Sequence, residues 1–424
     1  MWSTIYYFWD TVLQIDLLEV NNLWKLMLGF ISICLVYRYL VRPINYVKDL
    51  ESVGYWYLNK GVYSKQDGTK LAKNGRNLGK LPPVFPNGWF MIAESSDIAV
   101  NQVLHISALG ENFVLFRSAD RQCHVLDAYC PHLGANMGIG GKVHGDCIEC
   151  PFHQWRFSGI TGKCISVPYS SKVPNFAEVK CWNVHEINDM IFVWYHSEDE
   201  PPTWYPNSVD SIENRKFIYR GRNQFLVNCH IQDIPENGSD LWHFNAVHGA
   251  SMLTGSDIHQ TEATWCKFFR HNWSAEWEPG GEPSMKHIGF GKLSHFISLF
   301  GKIKLASLTV DIEQIGPGYV IMRMHTTIGP MVILQAVTPV EPMIQKVVHR
   351  FYCPIYLALY ATLTLVAESI MVERDIMIWN HKKFIENPLL LKEDKTVAKY
   401  RRWFNQFYSE HSPLFNTKKQ CLDW

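Results

Sequence analysis

The chain has 424 residues, 47% of them hydrophobic and 19% charged, and Lys+Arg and Asp+Glu both number 40, so the formal net charge is zero. That length suits two domains plus accessory segments, and so apolar a chain can bury a large core, which excludes wholesale disorder. The balanced charge gives no support to nucleic-acid binding, which usually shows as a basic surplus. Eleven cysteines, an odd number in a long chain, argue against a disulfide scaffold and for thiols serving as metal ligands in a reducing compartment.

In chain order, the first element is an apolar window over residues 23–41, with only Lys25 and Arg38 as charges. A spanning helix needs about 20 residues, so the window is just long enough to cross a membrane with its ends snorkelling. It follows an acidic stretch containing Asp10, Asp16 and Glu19, unlike a cleavable signal peptide. Arg38, Arg42 and Lys48 lie at or past its end, which places the remainder on the cytosolic side. The expectation is a single-pass anchor within residues 1–45, then a polar, Gly-rich linker over 46–81.

Pro82, Pro83 and Pro86 open the next unit, residues 82–198. Short apolar runs such as 113–116, 124–126 and 190–195 between glycines and polar turns predict an all-β domain. The acidic, Pro-rich stretch 198–206 marks the boundary with a second domain over 199–424. There, 233–248 reads as helical, with Asp233 as N-cap and Glu236 completing a capping box. Residues 308–314 and 319–326 flank Gly316-Pro317-Gly318 as a hairpin, strands continue at 331–337 and 346–352, and long helices follow at 361–381 and 392–407. The second domain is therefore expected to be α+β, an antiparallel sheet with helices packed on it.

Two loops carry metal-ligand chemistry. Cys130-Pro131-His132-Leu133-Gly134 and Cys150-Pro151-Phe152-His153-Gln154-Trp155 each supply one Cys and one His. A zinc site accepts such a set, but zinc fingers usually pair Cys with Cys and His with His. One Cys and one His per loop suits a two-iron cluster whose irons take different ligand types. Gly134, Gly138, Gly140 and Gly141 allow backbone N–H groups to approach bridging sulfides. These loops resemble those of the Rieske family. Respiratory-chain Rieske proteins carry an extra cysteine in each loop, where this chain has Ala135 and Phe152, so the resemblance is to the oxygenase branch. Cys147 and Cys164 are off-register and read as structural thiols.

A second constellation follows. Asp240 and His243 are three apart and share a helix face. His243 and His248 are five apart, about 140° around an ideal helix, so they meet one metal only if the helix bulges or ends there. The resemblance to Rieske oxygenases implies a third ligand that is a carboxylate far downstream, and the candidates on the long helix are Glu368, Glu373 and Asp375. At 100° per residue, Asp375 shares a face with Met371, Val372, Ile378 and Trp379, an apolar stripe on which a buried carboxylate needs a partner; Glu368 is on that face but nearly two turns earlier, and Glu373 points away. Two His and one carboxylate leave positions open on Fe(II) for O₂.

The run from Glu236 to His248 and the segment 373–379 resemble the iron-site motifs of Rieske non-heme iron oxygenases, and the resemblance covers about 82–405. The anchor and the Glu236-Asn237-x-x-Asp240 spacing are similar to the steroid-acting branch, more narrowly the animal cholesterol 7-desaturases. The resemblance implies a helix-grip-like catalytic domain, with Cys130, His132, Cys150 and His153 on a [2Fe–2S] cluster. It also implies mononuclear Fe(II) on His243, His248 and Asp375, and supporting roles for Asn237 and Asp240. Electrons from NAD(P)H through a separate reductase, use of O₂, a sterol substrate and a homotrimer are implied as well, with the endoplasmic reticulum as the expected membrane. The alternatives are another steroid or a small aromatic substrate, an electron carrier without oxygenase chemistry, and a zinc-binding scaffold. Finally, residues 293–305, with Phe296, Ile297 and Phe300 between Lys292, Lys302 and Lys304, are expected to form an apolar substrate entrance at the membrane, a core helix being the alternative.

Overall fold

A computed structural model describes residues 20–38, 42–55, 64–261 and 267–415. Three small sheets occupy the first half. One pairs Gly88–Glu94 with Met190–Tyr195 and Val184–Ile187, and a second runs from Cys181–Trp182 through Cys123–Asp127 and Glu111–Arg117 to Val103–Ala108. The third is built from Lys142–His144, Cys147–Glu149, Arg156–Ser158 and Cys164–Ser166. It carries the two Cys/His loops at its end. Phe113, Val125, Ile191 and Val193 are buried between the first two sheets, each such side chain contributing roughly 1.5–3 kcal/mol on burial.

The second half is an eight-stranded sheet. Its order is Ile44–Lys48, Ile218–Asn228, Ile344–Cys353, Gly329–Glu341, Tyr319–Thr326, Ile303–Ile315, Ile288–Leu299 and Phe269–Pro279. Every pair is antiparallel except the first, so the stretch read as a linker supplies an edge strand, and a helix, Lys65–Gly75, besides. The strand is tied down where Tyr46 Oη donates to Glu373 Oε1 at 2.5 Å. Gly221 permits the pairing, since a Cβ there would meet the Ile44 carbonyl oxygen at 2.0 Å.

The long helix Ala358–Trp379 packs against Ile218–Asn228 and Ile344–Cys353 and buries Ala361, Leu365, Val372 and Ile376. It is covered on more than one side. Val372, Asp375 and Trp379 face inward as the 100° spacing predicts, but Ile378 is exposed and Glu373 is buried under Tyr46. Among the described residues, Ile355–Trp379 is the one helix long and apolar enough to cross a membrane, and it is this core helix. The N-terminal helix is Val20–Val36, whose apolar part, Leu23–Leu35, is shorter, and residues 39–41 of the expected span lie outside the described residues. The two halves meet where the Gly88–Glu94 strand packs on Gly329–Glu341, with Thr338 Oγ1 donating to the Met91 carbonyl at 2.7 Å.

Candidate metal centres and the cavity between them

The two Cys/His loops have the same backbone plan. In the first, the Cys130 N–H donates to the Ala135 carbonyl and the Gly134 N–H to the Cys130 carbonyl, both at 2.9 Å. In the second, the Cys150 N–H donates to Trp155 O at 2.8 Å and the Gln154 N–H to Cys150 O at 3.1 Å. The residue four past each cysteine takes a left-handed turn, Gly134 at φ 74° and Gln154 at φ 61°. Both cysteines are buried, while the His132 and His153 rings lie nearer the surface, with centroids 4.6 Å apart. Trp155 stacks on His132 at 4.7 Å and is itself fixed by donating to Tyr169 Oη at 2.8 Å. Burial, with the neighbouring Cys150, pushes the Cys130 thiol up to about 11, so a metal is needed to hold it as thiolate. Buried thiols on one side and accessible imidazoles on the other fit a cluster that divides its ligands by type.

The second constellation is not one helix. Residues 233–248 form two short helices, Asp233–Glu236 and His243–Val247, separated by a break. Gln232, not Asp233, is the N-cap, and Asp233 is instead a buried ion-pair partner of Lys382 at 2.9 Å. The buried Glu236 takes a two-pronged bond from Arg401, at 2.7 and 2.9 Å. The break lets His243 at the start of the second helix and His248 at its end turn toward the same point. His243, His248 and Asp375 have ligand atoms all within 4.8 Å of one another, with His248 Nε2 3.2 Å from Asp375 Oδ2. His243 Nδ1 lies 2.5 Å from the Asp240 carbonyl oxygen, which can only accept, so Nδ1 carries the proton and Nε2 keeps its lone pair. The Asp240 carboxylate accepts the main-chain N–H groups of Trp242 and His243 at 3.2 and 3.3 Å. Asn237 Oδ1 accepts from Trp379 Nε1 at 3.4 Å. Two imidazoles and a carboxylate, gathered on one side of a buried point, fit a mononuclear iron with open positions.

Sequence reasoning missed Arg374. Its buried guanidinium donates to the carbonyls of Val247, Ala250, Ser251 and Gly255, at distances from 2.8 to 3.3 Å, and so fixes the loop that follows His248. A lone cation in an apolar helix, next to the candidate ligand, was the available signal.

All three residues border a cavity of about 440 Å³ between the sheet and the long helix, a size typical of small-molecule sites. Its walls are mostly aliphatic and aromatic, among them Leu293, Leu308, Met324 and Ile333. His271 and His295 face it as a pair, Nδ1 to Nε2 at 2.9 Å, and burial pushes their pKa down to about 3 and about 4. Residues 293–305 do not form a core helix. They are the end of one strand and the start of the next, joined by a tight turn at Phe300, Gly301 and Lys302. Ile297 lines the cavity, Phe300 projects from the turn, and Lys304 Nζ lies 4.6 Å from the Phe296 ring centroid.

A β domain with paired Cys/His loops, joined to a sheet-and-helix domain with a two-histidine, one-carboxylate site over an apolar cavity, is the architecture of Rieske-type oxygenases. Family profiles agree: the Rieske [2Fe-2S] domain matches residues 88–177 and the 3-ketosteroid 9alpha-hydroxylase C-terminal domain matches 193–408. A cholesterol 7-desaturase of Drosophila melanogaster is 41% identical, covering 96% of this chain and 97% of that protein. One of Xenopus laevis is 41% identical over 95% of this chain and 88% of its own length. The crystal structure of dicamba monooxygenase bound to dicamba shares the fold, with a TM-score of 0.58 and 15% identity, over 77% of this chain and 98% of that one. The chain belongs to the cholesterol 7-desaturase family.

Proposed function

We propose that this chain is the oxygenase that converts cholesterol to 7-dehydrocholesterol. The observation that carries the reading is the gathering of His243, His248 and Asp375 on the wall of an apolar cavity, in a member of this family. Cys130, Cys150, His132 and His153 would hold the [2Fe–2S] cluster, and His243, His248 and Asp375 would hold Fe(II). When bound, the cluster supplies electrons and the mononuclear iron supplies activation of O₂. The reaction balances as cholesterol, O₂, two electrons and two protons giving 7-dehydrocholesterol and two waters. The electrons come from NAD(P)H through a separate reductase.

The chain's own residues position and enclose. The Asp240 carbonyl fixes the His243 tautomer, Arg374 holds the loop behind His248, and Asn237 orients Trp379 against the cavity. The apolar walls keep water away from the reacting carbon. In a head-to-tail homotrimer, the Cys/His loops of one subunit would face the catalytic domain of the next, with the partly exposed Asp240 carboxylate accepting from His153 across the interface. The apolar N-terminal helix tethers the catalytic part to the cytosolic face of the endoplasmic reticulum. The hairpin tip bearing Phe296, Ile297 and Phe300 borders the entrance for bilayer-borne sterol. Anaerobic purification, iron and sulfide analysis, and turnover of cholesterol with a reductase test the reading. The conjugated diene is the expected product; a hydroxylated sterol or no product overturns it.

A further inference from the structure

On the wall of this apolar cavity lies a polar cluster that the iron chemistry does not use. Glu368 and His349 both line the wall. Asn223, fully buried behind them, donates from Nδ2 to Glu368 Oε2 and also to Ser369 Oγ at 3.1 Å. His349 Nδ1 lies 2.9 Å from Asn223 Oδ1 and 3.1 Å from Glu368 Oε1. Resting on the sterol reading, we propose that Glu368 and His349 are the seat that binds the substrate's ring hydroxyl and sets which carbon faces the iron.

Position supports this. Glu368 lies seven residues before Asp375 on the same helix, which puts it on the same face and about 10 Å along the axis. A rigid fused-ring sterol with the carbon to be oxidised at the iron carries its hydroxyl on the adjoining ring, so a polar seat is required a short, fixed distance away. Chemistry supports it too. Burial pushes the Glu368 carboxyl up to about 8, and burial pushes His349 down to about 3, so both are neutral near pH 7. A neutral carboxyl and a neutral imidazole offer a donor and an acceptor, which a hydroxyl uses together, and they offer no net charge to a phosphate, carboxylate or amine. The His271–His295 pair is the rival. It adjoins the iron-site loop, where the His271 N–H donates to Gly249 O at 2.9 Å, and so borders the reacting end of the cavity.

The test compares kcat/KM for cholesterol with that for its analogue lacking the 3-hydroxyl, in holoenzyme reconstituted with a reductase. The wild type should prefer cholesterol by about 100-fold or more, because a site built around a hydroxyl rejects the analogue without one. In Glu368→Leu the ratio should fall to within a few-fold of one, with Glu368→Gln between, and with Rieske absorption and mononuclear iron content retained. If Glu368→Leu does not fold, the ratio in Glu368→Gln and His349→Phe decides, a fall supporting the seat and a wild-type ratio overturning it. An unchanged ratio in a folded Glu368→Leu, or a collapse in His271→Phe alone, overturns the seat while leaving the sterol reading standing. Failure of the wild type to turn over cholesterol overturns the sterol reading, and the seat with it.

Discussion

The two candidate metal centres are built in opposite ways. The Cys/His loops are local: the four candidate ligands run from Cys130 to His153, and each loop closes on itself through two main-chain bonds and a left-handed turn. The mononuclear site is assembled from distant parts, two histidines on a broken helical segment and Asp375 on the long helix. Its geometry depends on buried charges elsewhere, with Arg374 gripping carbonyls and Glu236 paired to Arg401. A local site fails when its own ligands change, whereas an assembled site also fails through residues that never touch metal.

The largest effect should come from the local centre. His132→Ala or His153→Ala should remove the Rieske absorption and all turnover, since a two-iron cluster missing a nitrogen ligand is incomplete. An unchanged visible spectrum would reject the assignment. Next, Glu236→Gln should cost about 3–5 kcal/mol, the usual result of breaking a buried pair, read as a lowered denaturation midpoint. Mononuclear iron should be lost at lower denaturant than the Rieske absorption; simultaneous loss would mean that the two centres are not built independently.

Asp240→Asn is subtler. The amide oxygen still accepts the Trp242 and His243 N–H groups, so both metals should remain. Loss of the charge should slow reduction of the mononuclear iron by the cluster about 10–100-fold, the scale of outer-ligand changes, in single-turnover kinetics. Wild-type rates would remove Asp240 from the electron path. Smallest is Tyr46→Phe, which deletes one hydrogen bond to Glu373 and should lower stability by about 1 kcal/mol with the cluster spectrum intact.

The same contrast explains what was legible in the sequence. Cys130, His132, Cys150 and His153 announced themselves because residue type and spacing in short loops need no tertiary knowledge. The strands and the long helix were legible from periodicity, and the helical spacing set Glu373 apart from Asp375 but left Glu368 on the same face. Helical spacing misleads where burial comes from more than one side: Glu373 is buried under a strand from the stretch read as a linker, and Ile378 on the expected inward stripe is exposed. The break between Glu236 and His243 was illegible because the ion pairs that hold it, to Lys382 and Arg401, reach back from the C-terminal region. Residues 293–305 matched an interfacial pattern in composition, yet cross-strand pairing with Phe269–Pro279 and Ile303–Ile315 makes them a hairpin.

The most direct test of two separately built centres is Asp375→Ala, purified anaerobically and measured for total iron, Rieske absorption and cholesterol turnover in one preparation. The account predicts that mononuclear iron and turnover are lost while the Rieske absorption stays at the wild-type level. Full iron content with normal turnover, or loss of the Rieske absorption together with the mononuclear iron, would contradict it.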